Sequence, residues 1–350
     1  MSNWRDYVRT VEPYVPGEQP KVKDIIKLNT NENPYPPAPK VCEAMERMES
    51  EPLRLYPDPV CEELIQALAD YHNVSAKEIF PGVGSDDVLS MIFLTFFNSD
   101  KPILFPDITY SFYKVWANVY KIPYETPALS QDFRINADDY MKENGGIVIA
   151  NPNAPTSIYE NLDFIRTILD ANKESIVVID EAYIDFGGKS AVELLKEYDN
   201  LIVVRTFSKS RSLAGLRVGY AISSKEIIKA INDVKYSINS YTLNRPSIEL
   251  ATLAIKSAEY YDEISAKIIA TRDRTKKALE DIGFTCLDSK ANFLFAKHGS
   301  IPAVTIFEKL KERGIFVRYF NAPRINEYLR ITIGTDEEMD KVIGILKEVL

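Results

Sequence analysis

Lys209 stands where a lysine could do covalent chemistry. It lies in Arg205-Thr206-Phe207-Ser208-Lys209-Ser210, just past the apolar run Leu201 to Val204, and Leu213-Ala214-Gly215-Leu216-Arg217-Val218-Gly219-Tyr220 follows. An ammonium gives up its proton and attacks only where it is less stable than in water, a condition that burial or neighbouring cations create. The hydroxyls of Thr206 and Ser208, with the charge of Arg217, would make a landing site for a phosphate. A lysine beside a phosphate clamp suggests pyridoxal phosphate, and a surface lysine in a polar loop is the ordinary alternative. Two more apolar runs end in polar groups: Ile176 to Ile179 delivers Asp180, with Tyr183 three residues on, and Ile147 to Ala150 runs into Asn151-Pro152-Asn153-Ala154-Pro155-Thr156. In open parallel sheets ligands gather beyond the carboxyl ends of the strands, so these endings are expected to converge on one crevice.

The order of these motifs, NPNAPT, then DEAY, then SKSRSLAGLRVGY, resembles fold-type I pyridoxal phosphate-dependent aminotransferases. Leu28-Asn29-Thr30-Asn31-Glu32-Asn33-Pro34, Tyr56-Pro57-Asp58-Pro59 and Gly82-Val83-Gly84-Ser85-Asp86-Asp87 resemble the histidinol-phosphate aminotransferase branch, and the likeness runs from about residue 28 to the C-terminus. The resemblance implies the aspartate aminotransferase-like α/β fold and assigns roles residue by residue. Lys209 would anchor the cofactor aldehyde and, once freed, shuttle a proton. Asp180 would hold the protonated pyridine nitrogen, its neighbour Glu181 being the competing carboxylate, and Tyr183 and Asn153 would donate to the ring oxygen. Ser85 with the Asp86 amide, Thr206, Ser208 and Arg217 would cup the phosphate at a helix N-terminus. Tyr110 would stack on the ring or else belong to the core, and Tyr56 would reach the phosphate of a neighbouring subunit, making the protein a homodimer with shared sites.

On the substrate side, Arg330 stands out in the alternating strand Tyr328 to Ile333, where a guanidinium fork suits a carboxylate or a phosphate. Arg318 is either a second contact or a surface ion pair. Asn33 is assigned to substrate binding, and Asn31, Glu32 and Tyr14 are further candidates for recognising an imidazole. Ala154 and Ser157 replace the second asparagine and the glycine that relatives commonly carry.

With 51 acidic and 42 basic residues the net charge is -9, which argues against nucleic acid or an anionic membrane as a partner. Three cysteines at wide spacing offer neither a disulfide framework nor a zinc site. His72 and His298 read as surface residues remote from the strand endings, which leaves proton transfer to lysine, tyrosine or carboxylate. The opening segment lacks the apolar core of a leader, and a cytoplasmic protein is expected.

The elements that must position these groups alternate. Strands at 79–82, 101–105, 147–150, 176–179, 201–204 and 218–222 are interleaved with helices at 85–97, 110–120, 161–172 and 191–198, the pattern of a mostly parallel sheet. One long amphipathic stretch spans 246–282, and a small α+β unit follows it: strand 292–296, helix 303–313, strands 315–318 and 328–333, and helix 336–350. The expected organisation is an N-terminal arm (1–28), a large cofactor-binding domain (29–245) and a small C-terminal domain that includes the connecting helix (246–350). The expected reaction is transamination of L-histidinol phosphate with 2-oxoglutarate, in histidine biosynthesis. A threonine-phosphate decarboxylase-like lyase and an aromatic amino acid aminotransferase of the same fold are the alternatives, because the same electron sink stabilises either carbanion.

Overall fold

A computed structural model describes residues 3–21 and 24–350. Seven strands form the main sheet, in the order Ile79–Gly82, Gly219–Ile222, Leu201–Thr206, Val177–Asp180, Gly146–Ala150, Ile103–Leu104, Tyr124–Glu125. Only Gly219–Ile222 runs against its neighbours. The central strands are buried along their whole length, which explains their unbroken apolar sequence: helices cover both faces and no residue needs to meet water. One face packs under helices Gly84–Phe96, Phe112–Tyr120 and Lys225–Ile238, and another apolar cluster joins helices Glu62–His72 and Arg245–Ile255 to the sheet.

A second sheet of four antiparallel strands, in the order Arg318–Tyr319, Leu329–Thr332, Phe293–His298, Phe284–Cys286, has its own core with helices Ala258–Glu280, Ala303–Glu312 and Asp336–Val349. Thr335 and Glu338 form a reciprocal capping box that starts the last helix. Ile26–Lys27 pairs in parallel with Ile315–Phe316, so the segment that begins at residue 28 is fastened to this second layer.

Several boundaries differ from the sequence reading. The stretch 246–282 is two helices, because Ser257 leaves helical geometry (φ -109°, ψ 34°). The expected helix at 191–198 is a single 3-10 turn, Ala191–Leu194. The run 315–318 divides between two sheets. Both histidines are half-buried rather than at the surface. His72 Nε2 lies 2.9 Å from the Tyr220 hydroxyl, and burial, aided by the charge of Arg205, pushes its pKa down to about 3. The His298 ring is tied to the Ile282 carbonyl and to the amide of Ile301. Among the described residues no helix is long and apolar enough to cross a membrane.

Candidate active site

The three strand endings do converge. Asp180 closes its strand inside the protein, 4% exposed. Its Oδ2 accepts a 2.7 Å hydrogen bond from Tyr113 and its Oδ1 accepts one from the Ala182 amide. Burial pushes this carboxyl up to about 6, against the lowering effect of those two donors. Relative to Asp180→Asn, the cofactor-free protein should therefore be fully stable below the ordinary value of 3.8. It should then lose on the order of 3 kcal/mol as pH rises through the folded value. Thermal unfolding of the two proteins across pH 4 to 8 measures this, and parallel curves would contradict it.

Glu181 faces the other way. It accepts from Ser190 and the Ala191 amide and meets Arg205 at 3.4 Å. The adjacent carboxylate is thus part of a buried ionic cluster behind the lysine turn. There Asp185 takes Arg205 and the Ser210 hydroxyl. Burial alone would raise Asp185, but Arg205 and Arg211 outweigh it and hold the carboxyl at about 2. Glu181 stands beside Asp180 in its motif and Ser210 lies in the lysine motif, but Asp185, which joins Ser210 to Arg205, carries no motif signal of its own.

Lys209 reaches out of the turn that this cluster holds. Its Nζ donates to the Thr30 carbonyl at 3.1 Å and lies 5.7 Å from the centre of the Tyr183 ring. Tyr183 meets Phe293 edge-on and accepts from the Asn31 amide at 2.9 Å. Asn153 is held by Thr109, the Ile108 carbonyl and the Thr156 hydroxyl.

A second group gathers at the N-terminus of Gly84–Phe96, a helix whose first residue has no side-chain cap. Gly84 (φ +80°) and Gly219 are needed there: a Cβ on Gly84 would stand 2.7 Å from the Arg217 guanidinium, and one on Gly219 would stand 2.3 Å from the Ser85 nitrogen. Arg217 lies within 3.5 Å of the Ser208 hydroxyl and 3.2 Å of Asp86, and Ser208 pairs with Thr206 at 3.0 Å. The result is a cradle of free helix amides, two hydroxyls and one guanidinium, suited to a phosphate. Tyr110 bonds Asp86 at 2.7 Å, which ties the cradle to the aromatic wall of Tyr14, Phe112 and Trp116.

Arg318 and Arg330 are directly opposed on neighbouring strands, an arrangement that repels unless an anion lies between them. Arg330 donates to the Asn29 carbonyl at 2.9 Å and sits over Phe293 and Phe320, while its Nε is buried without a partner. Neither arginine has an ion pair among the described residues. A cation taken out of water with no counter-ion and an orphaned donor is prepared for a ligand anion.

Two further assigned residues have these surroundings. Asn33 spends its amide on the carbonyls of Lys209 and Ser210, bracing the lysine turn. Tyr56 is 77% exposed and stacks on Tyr241 at the surface.

A lysine and a buried carboxylate at one edge of the main sheet, a phosphate cradle beside them and a waiting guanidinium on the second sheet together fit pyridoxal phosphate and an anionic substrate. Comparison with known proteins agrees. The model of class I and II aminotransferases matches residues 23–346. Histidinol-phosphate aminotransferase of Clostridium acetobutylicum is 53% identical over 345 residues, 99% of this chain and 98% of the relative. The Clostridium beijerinckii protein of the same name is 52% identical over 347 residues, 99% of this chain and 97% of the relative. Among solved structures, histidinol-phosphate aminotransferase from Sinorhizobium meliloti in complex with pyridoxal-5'-phosphate superposes with a TM-score of 0.85 at 26% identity, over 93% of this chain and 90% of that one. The chain belongs to the class I and II aminotransferases.

Proposed function

We propose that this protein is a pyridoxal phosphate-dependent histidinol-phosphate aminotransferase, exchanging the amino group of L-histidinol phosphate with 2-oxoglutarate to give imidazole acetol phosphate and glutamate. The observation that carries the substrate reading is the near-full-length likeness to relatives of that name. It is supported by Arg330, a half-buried cation whose Nε is buried with no partner among the described residues. One fork can accept the phosphate ester of one substrate and the carboxylate of the other, so two unlike molecules can take turns in one pocket.

Bound pyridoxal phosphate supplies an electron sink for the carbanion left when the substrate α-proton departs. This chain's residues do the rest. The Ser85 and Asp86 amides, Thr206, Ser208 and Arg217 would hold the phosphate. Asp180 would keep the ring nitrogen protonated, and burial makes its charge count for more than it would in water. Asn153 and Tyr183 would meet the ring oxygen. Among the described residues the Lys209 ammonium has one hydrogen-bond partner to leave, the Thr30 carbonyl, so it can move and carry the α-proton. The protein is proposed to act in the cytoplasm, in histidine biosynthesis, as a homodimer in which Tyr56 crosses to the neighbouring site. Its exposed ring is consistent with such a crossing.

The half-reaction tests the substrate. Histidinol phosphate alone, added to the loaded protein, is expected to convert the cofactor absorption to that of the amine form, whereas phenylalanine does so far more slowly. Release of carbon dioxide from threonine phosphate, with histidinol phosphate inert, would replace this reading by the lyase.

A further inference from the structure

Asn29, Thr30 and Asn31 each engage one group of the site: the Asn29 carbonyl takes Arg330, the Thr30 carbonyl takes Lys209, and the Asn31 side chain takes Tyr183. Asn31 is 1% exposed and adopts the left-handed backbone conformation, φ +57°, which an asparagine tolerates better than most residues. Its hydrogen bonds have a fixed sense. The Asn31 backbone N–H donates to Thr332 Oγ1 at 3.1 Å, so the one proton of that hydroxyl is left to donate, and it goes to Asn31 Oδ1 at 3.0 Å. The oxygen end of the amide is thereby settled, and Nδ2 must be the atom that donates to the Tyr183 hydroxyl oxygen, at 2.9 Å. A phenol oxygen that accepts from an amide keeps its own proton for something else. Asn292 completes the frame by donating to the Asn31 carbonyl at 3.0 Å.

We propose that Thr332 and Asn31 form a one-way hydrogen-bond relay that makes Tyr183 an obligate donor into the cofactor pocket. They are positioning residues acting through Tyr183. This rests on the cofactor reading above, in which the acceptor is the ring oxygen of pyridoxal phosphate. A donor held against that oxygen stabilises its negative charge and so favours the deprotonated form of the lysine–cofactor linkage at neutral pH. The relay starts on the strand Leu329–Thr332, which also carries Arg330. Arg330 and the donor polarity of Tyr183 are thus set by one strand and one tripeptide, although Tyr183 itself belongs to the large sheet's loops.

The test is a pH titration of the visible absorption of the loaded protein. Asn31→Asp replaces the donor by an acceptor that captures the Tyr183 proton, and the midpoint is expected to rise by about one pH unit. Thr332→Val, which frees the amide to turn over, should raise it by less. In a Tyr183→Phe background, Asn31→Asp should shift the midpoint by clearly less, the remainder being the direct effect of the new charge. An Asn31→Asp midpoint equal to that of the parent protein, with the cofactor still bound, overturns the relay. The same holds for a shift that persists undiminished in the Tyr183→Phe background. If Asn31→Asp does not fold, Thr332→Val decides alone: a raised midpoint supports the relay and an unchanged one overturns it. Absence of any pH-dependent band in the parent protein would instead refute the cofactor reading on which the relay stands.

Discussion

Replacing Lys209 with alanine is expected to lower turnover roughly 10⁴-fold or more, with thermal stability close to that of the parent protein. Two losses compound in this variant. On the proposed reading the covalent anchor is lost, and the cofactor would be left to the phosphate cradle and Asp180. On the same reading the proton carrier is lost with it, and the neighbouring groups are engaged otherwise: the Tyr183 proton would be directed at the ring oxygen, its oxygen accepting from Asn31, and Asp180 is enclosed beneath the pocket by Tyr113. The stability expectation follows from the same geometry. The turn that carries Lys209 is secured by its neighbours, through Ser210 to Asp185 and through Asn33 to the Lys209 and Ser210 carbonyls. The lysine side chain itself contributes one hydrogen bond, to Thr30. Rates measured with saturating cofactor separate the lost carrier from the lost anchor. Turnover within tenfold of the parent under those conditions would contradict the assignment.

The second large effect is expected from Arg330→Gln, which should cost on the order of 10²- to 10³-fold in kcat/KM for histidinol phosphate and for glutamate alike. On the proposed reading both substrates would present an anion to the same fork, so the loss should fall on both half-reactions, with cofactor affinity unchanged. Folding stability should move the other way. Arg330 is half-buried over Phe293 and Phe320, faces Arg318 across the strand pair and has no partner for Nε among the described residues; desolvation of the guanidinium holds its pKa below the usual arginine value. Removing a cation that no carboxylate compensates should leave the melting temperature equal or higher. A variant that lost activity together with several degrees of stability would mark Arg330 as structural instead.

The part of this site that could be read in the sequence was the part written along single strands. Asp180 is the first polar residue after an unbroken apolar run, and Asn153 and Lys209 follow theirs within a few residues, where a buried parallel strand gives way to polar groups at the sheet edge. Arg330 was legible by alternation. What could not be read depends on approach between distant segments. Tyr113 reaches Asp180 from a helix 67 positions away, and Asn31 meets Thr332 across 301 positions; neither has a local pattern that distinguishes it from an ordinary core tyrosine or loop asparagine. The break at Ser257 lacks any glycine or proline, so the helical periodicity on its two sides reads as continuous. Ile227, Ile228 and Ile231 do carry the helical spacing of Lys225–Ile238, a signal the sequence reading left unused. The two-residue edge strand Tyr124–Glu125 is too short to show any period.

The central claim is that one amine carries the covalent link to the cofactor, and reduction in place tests it most directly. The loaded protein is treated with borohydride, digested and mapped by mass spectrometry. A single pyridoxyl-phosphate adduct is expected, on the peptide that contains Lys209, together with loss of the visible band. An adduct on another lysine, or no adduct on protein saturated with pyridoxal phosphate, would contradict it.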